Sequence, residues 1–130
     1  MDINTYYAHV QKMGKLPTRP IAERWSYGVL KTLGAHLDSN TKKELQSAID
    51  PQLAKPIGAY FNLFPFRDPT VTSYEFQNEV ARRCGNSDAV FARFPTVAVF
   101  NALKQQIDGN LSQKVADSLP DEVSQLWQEA

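Results

Sequence analysis

What most constrains this chain is a register of large apolar residues that recurs after 70 positions. Tyr6 meets Phe76, Val10 meets Val80, Ile21 meets Phe91 and Val29 meets Val99. Leu30 then meets Phe100, Leu33 meets Leu103, Leu37 meets Ile107, Leu45 meets Val115 and Ile49 meets Leu119. Only six of the 47 pairs that start at Ile3 and end at Ile49 are identical, so the apolar positions carry the match. Their three- and four-residue spacing is that of amphipathic helices, and no alternating run bounded by turn residues argues for a strand. The pattern predicts an all-α chain of two tandem helical repeats, about four helices each, packed through a shared core. The expected divisions are repeat 1 over residues 1–61, an aromatic and proline-rich connector over 62–72, and repeat 2 over 73–130.

Local signals place the helix ends. Asp2 caps a first helix carrying Ile3, Tyr6, Val10 and Met13, which Gly14 ends. Pro20 suits the first turn of a second helix running to about Leu37, whose apolar positions spread around half its circumference and predict a central place. Thr41 with Glu44 reads as a capping box, and Asp50-Pro51 as a cap and first-turn proline. Pro56 predicts a kink or a later start for that fourth helix. In the second half Thr72 with Glu75 reads as a capping box and Gly85 as a stop. A short helix bearing Phe91 and Phe94 is expected to give way to a longer one at Pro95. Asn110 with Gln113 caps the next, and Pro120 opens a last helix with Val123, Leu126 and Trp127.

Those stretches also carry a resemblance. Ser73-Tyr-Glu-Phe-Gln-Asn-Glu-Val-Ala81, the run from Val99 to Ile107 and the run from Val115 to Trp127 resemble the bacterial domain of unknown function 2267 family. The run from Val29 to Leu37, the stretch from Ile49 to Leu53 and the aromatic junction from Tyr60 to Pro69 are weaker counterparts. The resemblance implies a tandem all-helical architecture and transfers no catalytic residue. Lys42-Lys43 stands where an acidic turn is commoner in that family, and Ile49-Asp50-Pro51 replaces its Leu-Pro.

Composition narrows the function classes. Fourteen basic and fourteen acidic side chains give zero net charge, unlike a dedicated nucleic-acid or anionic-membrane binder. One cysteine excludes a disulfide framework and a multi-cysteine zinc site. No apolar run reaches the ~18 residues of a membrane-spanning helix, and the first residues lack a signal-peptide pattern, so a cytoplasmic location without membrane insertion is expected. Six scattered glycines form no phosphate-cradling loop, so no cofactor is expected. His9 and His36 lack the acidic spacing of bundle metal sites and read as ordinary hydrogen-bonding residues. Asp38-Ser39-Asn40 and Asp108-Gly109-Asn110 lack the Gly and Glu of a calcium loop and read as helix-to-helix turns. Cys84, beside Arg82-Arg83, reads as a small core filler rather than an activated thiolate. Glu75 and Glu79 stand one turn apart, but Arg82 and Arg83 follow Glu79 and make a charge-laced face the simpler reading.

With no catalytic constellation, the expected function is a non-catalytic soluble helical interaction or scaffold protein that binds a protein partner or itself. The alternative is a small ligand or lipid held in an apolar pocket between helices or repeats. The candidate interaction patch is Tyr60, Phe61, Phe64 and Phe66 with Arg82 and Arg83, and Lys42 and Lys43 join the charged rim. The zero net charge also divides unevenly. Residues 1–61 carry a net +3 and residues 73–130 a net −3, so the halves are expected to attract, within one chain or between chains.

Overall fold

Capping side chains decide where most of the helices start. The computed structural model describes residues 1–59 and 68–130, and the described residues form helices with no strand. The helices are α1 (Ile3–Met13), α2 (Arg19–His36), α3 (Ser39–Ala48), α4 (Pro51–Gly58), α5 (Ser73–Arg83), α6 (Arg93–Lys104), α7 (Gly109–Ser118) and α8 (Asp121–Glu129). α1, α3 and α4 start 70 residues before α5, α7 and α8 respectively.

Asp2 accepts the Thr5 N–H, Asp50 accepts the Gln52 N–H, and Thr72 accepts the Glu75 N–H while its hydroxyl donates to the Glu75 carboxylate, which is half of the expected capping box. Two caps fall elsewhere. α3 is capped by Asp38, which accepts the Thr41 N–H at 2.8 Å, and not by Thr41 itself. α7 is capped by Asp108, accepting from Leu111 N–H at 2.8 Å, and not by Asn110. A carboxylate three residues ahead of a helical N–H outcompetes a candidate already inside the first turn. The two Asp-Xaa-Asn turns are therefore matching N-caps.

α2 and α6 break the 70-residue match. Thr18 and Asp88 occupy matching places and cap the Ile21 and Phe91 N–H groups alike. Residues 89–92 then form a turn, and α6 starts at Arg93, so no separate short helix exists there. Pro95 is the cause: it has no N–H for the Phe91 carbonyl, which takes the Phe94 N–H at 3.0 Å instead. Pro56, by contrast, lies inside α4, which starts at Pro51 with no delay.

α1 and α5 end alike through different residues. Gly85, with φ of 73°, closes α5 with the Asn86 N–H on the Ala81 carbonyl at 2.8 Å. At the matching place Lys15 takes φ of 57°, and the Leu16 N–H meets the Gln11 carbonyl at 2.9 Å. A lysine there accepts the left-handed strain that glycine avoids.

The halves interlock. α1 lies on α6 and α2 lies on α5, so the first helix of each half rests on the second helix of the other. α2 also packs on α4, and α3 meets α7. α2 and α4 pack so closely that a Cβ at Gly34 would fall 2.0 Å from the Ile57 carbonyl oxygen. α2 is thus central, as its broad apolar face predicts. One apolar cluster runs through both halves, including Tyr6, Trp25, Phe76, Phe100 and Trp127. The Phe76–Phe100 and Phe100–Trp127 rings lie 5.9 and 5.1 Å apart, and each such buried side chain contributes about 1.5–3 kcal/mol. The Glu44–Lys114 ion pair at 3.0 Å and the His36–Glu79 hydrogen bond at 2.7 Å also join the halves.

Candidate functional site

Two surface features stand out, a groove and a polar seam. The groove lies where the C-terminal end of α1, the start of α6 and the end of α8 converge. It encloses about 390 Å³ and is lined by Met13, Arg93, Phe94, Val97, Leu126 and Glu129, among others. Met13 is 37% exposed and Phe94 40%, and Val90 on the preceding turn is 71% exposed. The helical spacing reads Met13 and Phe94 as ordinary apolar positions; both stay partly exposed. Lys15 places its ammonium 4.3 Å from the centre of the Phe94 ring.

The matching face of the other half carries more charge, although Tyr27 there is also 44% exposed. Arg24 stands where Phe94 does, Arg83 where Met13 does, Tyr27 where Val97 does, and Glu23 where Arg93 does. Glu23 is paired with Arg19 at 3.0 Å. The backbone plan thus tolerates charge at these positions, and packing does not demand the apolar residues of the groove.

The polar seam joins α2 to α5. His36 Nε2 lies 2.7 Å from Glu79 Oε2, and the His36 ring lies 5.5 Å from that of Phe76. Arg83 Nη1 donates to Thr32 Oγ1 at 2.7 Å, and Thr32 in turn donates to the Gly28 carbonyl at 2.8 Å. Burial pushes the Glu79 carboxyl up, but the His36 hydrogen bond and charge, with Arg83 and Arg82, outweigh it and hold it below the ordinary value. Arg82 points to solvent and lines a hollow of about 200 Å³ with Tyr74, Asn78 and Glu79.

The expected interaction patch is therefore divided. Tyr60, Phe61, Phe64 and Phe66 lie outside the described residues. Arg82 and Arg83 sit together on the last turn of α5, one exposed and one tied inward to α2. Glu75 serves the Thr72 capping box while Glu79 binds His36, so Glu79 is more than part of a solvated face. Cys84 is buried, donates toward the Arg24 carbonyl at 3.5 Å, and burial pushes its thiol up to about 12. It is a core filler, not an activated thiolate. His9 Nε2 bonds Asn101 Oδ1 at 2.8 Å, joining α1 to α6. Among the described residues no three His, Cys, Asp or Glu side chains gather as metal ligands, and no helix is long and apolar enough to cross a membrane.

The family model described as uncharacterized conserved protein (DUF2267) matches residues 3–126. The chain belongs to this family. No curated protein matches it. The family membership supplies no chemistry, so the groove and the seam stand on their own geometry. Helical spacing marks the apolar groove residues Met13, Phe94 and Leu126 as helix positions, but it does not show that they meet. The available signal was the 70-residue comparison: an apolar residue whose counterpart is arginine is a poor candidate for core.

Proposed function

We propose that this protein works by binding and not by catalysis, and that its binding site is the groove between α1, α6 and α8. The observation that carries this reading is the exposed apolar lining where the matching face of the other half is charged. Met13, Phe94 and Val97 are grouped around one concavity and not scattered singly, which is the arrangement a contact surface needs.

Size favours a small molecule over a protein partner. Met13, Val90 and Phe94, partly covered already, offer on the order of 300 Å² or less, short of the ~800 Å² per partner of a stable protein interface. A groove of about 390 Å³ falls within the ~300–1,000 Å³ of small-molecule sites.

The test is a titration with the neutral dye Nile red. Its fluorescence is expected to rise on binding, and Phe94→Arg, which installs the residue of the matching position, is expected to abolish the rise without changing the urea midpoint. Dye binding that ignores Phe94→Arg would overturn the groove reading. A concentration-dependent dimer that Phe94→Arg dissociates would transfer the groove to a second copy of the chain.

A further inference from the structure

Resting on the groove reading, we infer that Lys15 is a lid on the groove. Its ammonium covers the Phe94 ring, and a ligand reaches that ring by displacing it.

The turn between α1 and α2 leaves Lys15 little choice of direction. The Gly14 N–H meets the Val10 carbonyl at 2.8 Å, the Leu16 N–H meets the Gln11 carbonyl at 2.9 Å, and Leu16 is buried. A Cβ at Gly14 would fall 3.3 Å from Pro95 Cα, so the turn lies directly on the residue that follows Phe94. Between these anchored neighbours Lys15 takes φ of 57° and sets its ammonium 4.3 Å from the centre of the Phe94 ring. Among the described residues that ammonium makes no ion pair or hydrogen bond, so the ring contact is what holds it.

The other half shows the same place without this contact. Gly85 stands where Lys15 does, with φ of 73° and nothing within 4 Å of an added Cβ, and Arg24 stands where Phe94 does. The strained lysine and the aromatic ring occur together, and glycine and arginine replace them together. Closing the turn needs only the glycine, which enters the left-handed region at no steric cost. An exposed cation–π contact is weak, no larger than the cost of a left-handed backbone at a residue with a Cβ. Stability therefore gains nothing from the lysine, and strain kept without that return points to a role in the site.

Of the two side chains against Phe94, Lys15 is the one that can move. Phe91 lies 5.7 Å from the Phe94 ring and packs in turn on the buried Trp25 at 5.6 Å. Lys15 is exposed and carries its charge on a flexible four-carbon stem. Swinging that stem aside adds the covered ring surface to the apolar lining of Met13, Val97 and Leu126.

The experiment measures Nile red affinity of the full chain by fluorescence titration in four variants, with the Lys15 side chain followed by NMR. Lys15→Gly and Lys15→Asn, both suited to a left-handed turn, are expected to tighten binding about two- to fivefold, the size of the contact the ligand no longer breaks. Lys15→Arg, which keeps a cation for the ring, is expected to bind as the parent chain does. Lys12→Gln, which removes a charge one turn earlier, is expected to change nothing. The Lys15 ε-methylene protons are expected to lie upfield under the Phe94 ring current and to return toward their ordinary position as the dye saturates. Unchanged affinity in Lys15→Gly and Lys15→Asn would overturn the lid, while loss of binding in Phe94→Arg would still keep the groove. Weaker binding in those two variants would overturn it by making Lys15 a ligand contact. An equal gain in Lys12→Gln would assign the effect to charge, and an upfield shift that survives saturation would show that Lys15 stays in place; either result overturns the lid. If Nile red ignores Phe94→Arg, the groove reading fails and this inference with it.

Discussion

Tyr6 and Ser26 in the first half hold the same places as Phe76 and Thr96 in the second, and only the first pair is hydrogen bonded. Tyr6 Oη lies 2.6 Å from Ser26 Oγ, both fully buried, tying α1 to α2. Phe76 has no hydroxyl, and Thr96 Oγ1 is buried with no partner among the described residues. α5 rests chiefly on α2, where Phe76 packs against His36 and Phe100 instead. The two halves share an apolar plan, while their polar groups are fitted locally. An apolar register tolerates many residues of similar bulk, whereas a buried hydroxyl needs one partner at one distance.

The largest expected effects test the paired hydroxyls. Ser26→Ala leaves the Tyr6 hydroxyl buried and unpaired, and is expected to lower the unfolding free energy by about 1–3 kcal/mol in urea titration. Tyr6→Phe in the Ser26→Ala background should cost less than the sum of the single changes, because the second removes a group already orphaned. Additive losses would show that the two hydroxyls act independently.

The helix ends come next. Gly85→Ala is expected to cost about 1 kcal/mol, and Lys15→Gly to stabilise by a similar or smaller amount, since both positions are left-handed and only one carries glycine. Equal responses of opposite sign would show that the two turns are interchangeable. Thr96→Val, nearly isosteric, is expected to raise stability by up to about 1 kcal/mol by removing the unpaired hydroxyl. A loss there would mean that Thr96 has found a partner the geometry does not give it.

The smallest expected effect is on pH dependence. Glu79 is held below its ordinary value of 4.5 in the folded chain, so its stabilising contribution is present above that value. It is lost as pH falls through the lower folded value. Glu79→Gln should therefore flatten the acid limb of a stability-against-pH curve, and an unchanged limb would show that the His36 contact contributes nothing to folding. His9, at the matching place on α1, bonds the neutral Asn101, so His9→Gln should leave that limb unaltered.

Much of the fold is written in local residues. Asp2, Asp50 and Thr72 mark helix starts, Gly85 marks an end, and the three- and four-residue spacing of Tyr6, Val10, Phe76 and Val80 marks the buried faces. These follow from short-range physics: a side chain either reaches a backbone N–H two or three residues on or it does not. Thr41 and Asn110 look like caps in the sequence, but Asp38 and Asp108, equally good residues just ahead of them, take that place.

The site lies beyond that kind of reasoning. An apolar stripe says that a helix face is covered, but not by which helix, because hydrophobic attraction has no direction. That α1 rests on α6 and α2 on α5 was settled by the fit of whole surfaces, Gly28 against Val80 and Cys84 among them. Met13, Phe94 and Leu126 come from three helices far apart in the chain, and only that packing brings them to one groove beside Arg93. The amino-acid sequence by itself determined the helices and their caps. The tertiary structure decided which apolar residues would be left uncovered, because coverage depends on neighbours that local sequence cannot name.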